Sequence, residues 1–334
     1  MRATAIAVLA CVALAVAACG DDPLEGASCG STPSPALTPA GSGPDAFTMG
    51  IRINQDSDIT EVEGQLEHLI LPRDVFVVNT EFEKTTPDKA EELVDSLKDK
   101  FPCNRIASLN GLARDPGKAS YAFALAGNPD VDAILVDWEQ ISFEVAGKGR
   151  WSPSLETNLP RIAENLRLLG EQLKAHDTRM GLAPQYLPPW DYGRTARVIA
   201  LANFALDPTH LGYQIVQTQE NCGAPGAPGP AIGPLAATLR RQYRPLFGQR
   251  SSGQGPQLGP VLLQHLGFEI AFTVHPRPNA SEALLRVDPR QAAACSQEIL
   301  NAGGAGILYW ATPGTTRAML DTPIGKKLRS ASSS

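Results

Sequence analysis

The sequence predicts an α/β protein built as one (β/α)8 TIM barrel. Three observations carry that prediction. Short apolar runs alternate with helical patterns between residues 46 and 328, and the alternation reaches eight strand–helix units. The first run leads into Asn54-Gln55-Asp56-Ser57, without the Gly-x-Gly-x-x-Gly turn of a dinucleotide-binding open sheet. A length of roughly 285 residues is ordinary for such a barrel kept as one unit.

The elements follow in order. Residues 47–53 read as the first strand and 58–68 as a helix-like segment. Residues 75–79 form a continuous apolar run of the kind buried in parallel sheets. Thr86 caps the next helix with Pro87 in its first turn, and Ala90, Leu93, Val94, Leu97 and Phe101 form its apolar stripe. Strand three is 105–110, followed by a short helix near 120–126, and strand four is 133–137. The helix opening at Asn158 and Pro160 carries Leu159, Ile162, Ala163, Leu166, Leu169 and Leu173 at helical spacing. Strand five is 180–184 with a helix at 194–205, and strand six is 211–219 with a helix at 233–247. Strand seven lies within 261–273, before a helix at 289–301; strand eight is 306–310, and 315–320 closes the barrel. Residues 329–334, rich in serine, read as a frayed, disordered tail.

The N-terminus reads as an address. Arg2 precedes an apolar run that is short and rich in alanine, and small residues lead to Val16-Ala17-Ala18-Cys19. That is the basic, apolar and small-residue order of an export signal rather than a membrane span. A cysteine directly after Val-Ala-Ala resembles the lipobox of bacterial lipoproteins. The resemblance implies removal of residues 1–18, lipidation of Cys19 and anchoring to a membrane of the cell envelope. Cleavage there leaves 334 − 18 = 316 residues. Residues 19–45, dominated by Gly, Ser, Pro, Thr and Ala, are a tether, with a typical reach of about 28 Å.

A net charge of −6 and the absence of any basic block exclude nucleic acid as a partner, and a monomer is expected. Cys29, Cys103, Cys222 and Cys295 remain after the leader and Cys19 are set aside. Four cysteines in an exported chain favour two disulfides, with three possible pairings. The expectation leans to Cys29 with Cys103 and Cys222 with Cys295. Without Cys-x-x-Cys or clustered histidine, no metal site or cofactor is expected.

Barrel enzymes keep their chemistry at the C-terminal strand ends. Those ends are polar and aromatic here: Asn110, Asp137-Trp138-Glu139, Gln185-Tyr186, Gln217-Thr218-Gln219 and Tyr309-Trp310. Amides bind sugar hydroxyls, and sugar rings stack on Trp and Tyr. Asp137 and Glu139, two apart on a strand, share a face. Close carboxylates resist joint ionisation, which raises one pKa and makes that group a proton donor. Such a donor suits a glycosidic oxygen. The competing reading is that the pair only accepts hydrogen bonds at a strand end.

At these residues the chain resembles glycoside hydrolase family 18, the chitinases and their hevamine-like relatives. Asp132-Ala-Ile-Leu-Val-Asp137-Trp-Glu139 is similar to that family's strand-four Asp-x-x-Asp-x-Asp-x-Glu. Ala107-Ser108-Leu-Asn-Gly111, Leu182-Ala-Pro-Gln185, Val216-Gln217-Thr-Gln219-Glu-Asn221 and Gly306-Ile-Leu-Tyr-Trp310 resemble its strands three, five, six and eight. The resemblance implies Glu139 as general acid and Asp137 orienting the substrate's N-acetyl group, which attacks the anomeric carbon. It implies Trp310 stacking under the sugar, Gln185 and Gln217 binding it, and Gln219 contacting the acetamido oxygen; Tyr186 and Asn110 join them as substrate contacts. The departures are Leu135 for the middle Asp, Gln219 for Tyr and Asn110 for Gly.

Four readings stay open. They are a glycosidase acting on N-acetylated glycans, a lectin-like barrel without turnover, a lysozyme-like barrel of another family, and an envelope barrel with no sugar role. His265, His275, Trp151 and the aromatic loop from Tyr186 to Tyr192 are further candidates for the pocket wall.

Overall fold

The computed structural model describes residues 48–80, 86–110, 125–138, 168–184, 211–217, 266–271, 287–301 and 306–331. The chain divides into Met1–Ser34 and Pro35–Ser334, and every described residue belongs to the second unit.

Eight strands close into a barrel in sequence order: β1 (Thr48–Ile53), β2 (Val75–Asn79), β3 (Arg105–Asn110), β4 (Ala133–Trp138), β5 (Arg179–Pro184), β6 (Leu211–Gln217), β7 (Leu266–Ala271) and β8 (Gly306–Trp310). Every neighbouring pair is parallel, and β8 returns to β1 with Gly306 opposite Thr48 and Tyr309 opposite Ile51. One register shift falls between Met180 and Leu182, where β5 meets β6. The seam between β1 and β8 requires glycine at 306, because a Cβ there would stand 2.7 Å from the Thr48 carbonyl oxygen.

The described helices are α1 (Asp56–Leu66), α2 (Pro87–Lys100), α3 (168–175), α4 (Pro289–Asn301), α5 (Pro313–Leu320) and α6 (Pro323–Ala331). The Thr86 hydroxyl accepts the Lys89 amide at 3.3 Å and Pro87 opens α2, as the sequence predicts. The stripe of Ala90, Leu93, Val94 and Leu97 is buried, and Phe101 meets Phe76 with ring centroids 5.0 Å apart. The helices expected at 194–205 and 233–247 lie outside the described residues, as does the one expected near 120–126 except for Leu125 and Ala126, which lie in a turn.

Alternation along the strands separates two layers. Phe76 and Tyr309 turn outward, to Phe101 and to Ser296 of α4. The opposite positions Val75, Val77, Ala107, Leu109, Ala133, Leu135 and Leu308 pack together and fill the barrel. That is the layered interior of a (β/α)8 barrel, a packed core rather than a pore.

The tail needs a correction. Arg329 does not belong to a frayed end: it lies in α6 and is 6% exposed. Its guanidinium donates to the Leu69 carbonyl, with Nε at 2.9 Å, and forms an ion pair with Asp74. Leu328 beside it is 1% exposed. The serine-rich ending hides this short amphipathic helix, whose anchor is one charged contact with a residue 255 positions away.

Tyr309 offers a pH test. Its hydroxyl lies 2.9 Å from the Ser296 hydroxyl, and burial pushes the phenol well above its ordinary range while Ser296 opposes. A raised folded value means stability is complete below the unfolded tyrosine value of about 10 and declines as pH rises beyond it. Tyr309→Phe is expected to cost about 0.5–1.5 kcal/mol at neutral pH. It should also flatten the alkaline decline, as read by urea unfolding between neutral and strongly alkaline pH.

Candidate functional site

The C-terminal ends of the strands gather Arg52, Asn54, Asn79, Thr80 and Trp310 among residues with described side chains. Arg52 stands one step beyond the Ile51–Tyr309 pairing, which sets it beside Trp310 across the seam. Its guanidinium carbon lies 3.4 Å from the centroid of the indole ring. The arginine is 4% exposed, so this cation–π contact is shielded from water and stronger for it. Asn79 is fully buried and donates from Nδ2 to Asn54 Oδ1 at 3.3 Å. Asp58, in the first turn of α1, accepts the Asn54 amide at 2.7 Å and fixes the exit from β1. The Thr80 hydroxyl donates to the Leu109 carbonyl at 2.8 Å, tying the end of β2 to β3.

The expected site residues divide into three groups. Trp310 is at the mouth as anticipated in position, but one face of its ring is covered by Arg52. Asp137, Gln217 and Asn110 are placed by backbone register: Asp137 opposite Ala183, Gln217 opposite Glu269, and Asn110 opposite Val136. Asp137 continues the 133–135 column whose first two members face the interior, whereas Asn110 continues the 106–108 column. Glu139, Gln219, Gln185, Tyr186 and Cys19 lie outside the described residues. So do Cys29, Cys222, His265, His275, Trp151 and the loop from Tyr186 to Tyr192.

Two residues of the family-like motifs have structural partners. Asp132 stands before β4, at the opposite end of the strand from Asp137, with Oδ1 3.7 Å from Arg179 Nη1. The Ser108 hydroxyl is buried, 3.4 Å from the Thr80 hydroxyl. Leu135, in place of the middle acid, is fully buried in the apolar interior. Cys103 and Cys295 are both disulfide-bonded, so neither is a reactive thiol. No three His, Cys, Asp or Glu residues among those described converge on a metal position, and no helix described is long and apolar enough to cross a membrane.

Sequence reasoning missed Arg52, Asn54 and Asn79, together with Glu269, whose backbone is in register with Gln217 and Leu308. The signal was present: each polar residue interrupts or ends an apolar strand, as in Gly-Ile-Arg-Ile and Val-Phe-Val-Val-Asn. A charge inside a buried strand needs a local reason.

No family model matches the sequence, and no curated protein matches it. Among solved structures the chain is similar to the carboxyl transferase domain from Rhizobium etli pyruvate carboxylase. The identity is 13% and the TM-score 0.47, covering 80% of this chain and 42% of that one. It is also similar to a protein assigned as a fructose-1,6-biphosphate aldolase from Coccidioides immitis, at 12% identity and TM-score 0.41, covering 86% and 87%. These likenesses concern the fold and carry no chemistry to this chain, which is an α/β protein with parallel strands closed as a TIM barrel.

Proposed function

We propose that this chain is a divergent, family 18-like glycoside hydrolase barrel, exported and lipid-anchored at Cys19, that acts on N-acetylated glycans of the chitin or peptidoglycan type. The observation that carries the reading is the position of Asp137. It ends the column begun by Ala133 and Leu135, at the end of β4 where barrel active sites form. Glu139, two residues on, is the general acid that protonates the glycosidic oxygen. Asp137 orients the N-acetyl group, whose carbonyl oxygen attacks the anomeric carbon, so the sugar itself supplies the nucleophile. Gln219 contacts the acetamido oxygen, Gln185, Gln217 and Tyr186 bind hydroxyls, and Trp310 supports the ring; Asn110, in register with Val136 rather than with the interior positions, drops out of the set.

A second reading, a sugar-binding barrel without turnover, is favoured by two specific observations. Leu135 is a core residue and gives Asp137 no acidic neighbour, and Arg52 occupies a face of Trp310. The two readings separate on incubation of the exported domain with chitin oligomers and muropeptides. The first predicts shorter products and a loss of about 10²–10⁴-fold in rate for Glu139→Gln. Equal cleavage by both proteins removes Glu139 from the acid's role, and binding without cleavage by either selects the second reading.

A further inference from the structure

Arg52 takes no part in that scheme, yet it touches the aromatic ring on which the scheme relies. The pairing of Ile51 with Tyr309 puts Arg52 level with Trp310 on the neighbouring strand. The guanidinium carbon stands 3.4 Å from the centroid of the indole, a separation at which two flat groups are in contact. Arg52 is 4% exposed, whereas Trp310 keeps part of its surface open. The ring therefore has one face closed by protein, and a ligand must use the surface that remains. Below the pair on the same two strands, Gly50 is opposite Leu308, and a Cβ on Gly50 would stand 3.0 Å from the Leu308 Cα. The interior beneath is filled, so the ring is backed by Leu308 below and Arg52 beside it.

An indole turns about two side-chain torsions, and a sugar that stacks on it needs one fixed plane. A guanidinium is flat, always charged and attracted to the negative face of the ring, and burial strengthens that attraction. Arg52 also has a further partner within the protein. That contact serves the same end, because a prop must itself be held; the role requires only that Arg52 stay in place.

We propose that Arg52 is a positioning residue: by stacking on Trp310 it fixes the plane of the indole, so that the sugar stacks on the ring surface that Arg52 leaves open. The proposal deepens the glycan reading and rests on it for the ligand, while the hold of Arg52 on the ring rests on the geometry of the pair alone.

The test joins fluorine NMR to calorimetric titration, on residues 46–334 labelled with fluorotryptophan; this segment contains the whole closed barrel. Of the four tryptophans, Trp310 gives the resonance that is missing from Trp310→Phe. Methionine at position 52 fills similar space without the charge or the flat head. In Arg52→Met the Trp310 resonance is expected to move and broaden as the ring samples more than one plane. Affinity for a chitin oligomer is expected to fall about tenfold with it. Arg52→Lys should rescue part of both, since ammonium holds the charge but not the plane. A merely structural role would lower the midpoint of thermal unfolding and leave the resonance and the affinity of the folded protein unchanged, and that result overturns the proposal. A resonance that moves while affinity stays the same overturns it equally, because the ring would then be held for something other than the ligand. If the oligomer binds none of the three proteins, the glycan reading fails; a broadened resonance in Arg52→Met still upholds the grip on the ring, and an unchanged one overturns it. If Arg52→Met does not fold, Arg52→Lys carries the comparison, and a resonance and affinity equal to wild type overturn the proposal.

Discussion

Replacing Asp74 with alanine is expected to lower the stability of the barrel by about 3–5 kcal/mol, the cost of breaking a buried ion pair from one side. Asp74 precedes β2 at the end of the barrel opposite the mouth and is 1% exposed. One carboxylate joins three parts of the fold: Oδ1 accepts the Met49 amide of β1 at 2.9 Å, and Oδ2 accepts the Leu71 amide at 2.8 Å. Arg329 of α6 completes the set. Alanine leaves the two amides without this acceptor and deprives the buried Arg329 of its counter-ion. Arg329→Met is expected to cost less, because Asp74 keeps its two backbone donors and an apolar side chain of similar length fills the space. Urea unfolding of both variants checks the order. A loss below about 1 kcal/mol for Asp74→Ala, the size of one ordinary hydrogen bond, would contradict the assignment of this residue as the tie between β1, β2 and α6.

Leu135→Asp places an acid where the family 18 motif that the sequence resembles has one, and it is expected to damage the protein rather than improve it. Leu135 is fully buried against the interior layer that includes Ala107, Leu109, Ala133 and Leu308. Leu135→Ala should cost about 2–5 kcal/mol through the lost contacts and the cavity. Aspartate at neutral pH should cost more, since it adds an ionised carboxylate to an apolar site. Such a group has its pKa raised by burial, so its excess cost over alanine falls as the pH is lowered and the neutral acid forms. Unfolding of both variants at neutral and mildly acidic pH reads this directly. An aspartate variant no less stable than the alanine variant at neutral pH would show that the interior already holds a partner for an acid at this position.

The strands were legible because parallel strands buried on both faces leave continuous apolar runs bounded by polar turns. Val75–Asn79 and Arg105–Asn110 have the limits read from sequence, and Pro289–Asn301 matches as a helix. Of the strand expected at 211–219, Leu211–Gln217 is described and is a strand, and the last two positions lie outside the described residues. The first helix starts at Asp56, before the expected 58, because Asp58 acts within its first turn rather than ahead of it. Helix α6 was missed because its burial depends on the pairing of Arg329 with Asp74, a contact between residues far apart in sequence. The same limit applies to the mouth. Family-like motifs direct attention to strands three to six and eight, whereas the described polar cluster stands on β1, β2 and β8, where Arg52 reads as an ordinary strand residue until the barrel closes it onto Trp310.

The measurement that bears most directly on the central reading is calorimetric titration of residues 46–334 with an N-acetylated oligosaccharide, beside an oligomer of glucose of equal length, which lacks the acetamido group. The wild-type protein is expected to bind the acetylated sugar and to discriminate strongly against glucose, with Trp310→Ala abolishing the binding. Equal affinity for the two sugars, or acetylated-sugar binding that survives Trp310→Ala unchanged, would contradict a mouth built for N-acetylated glycans.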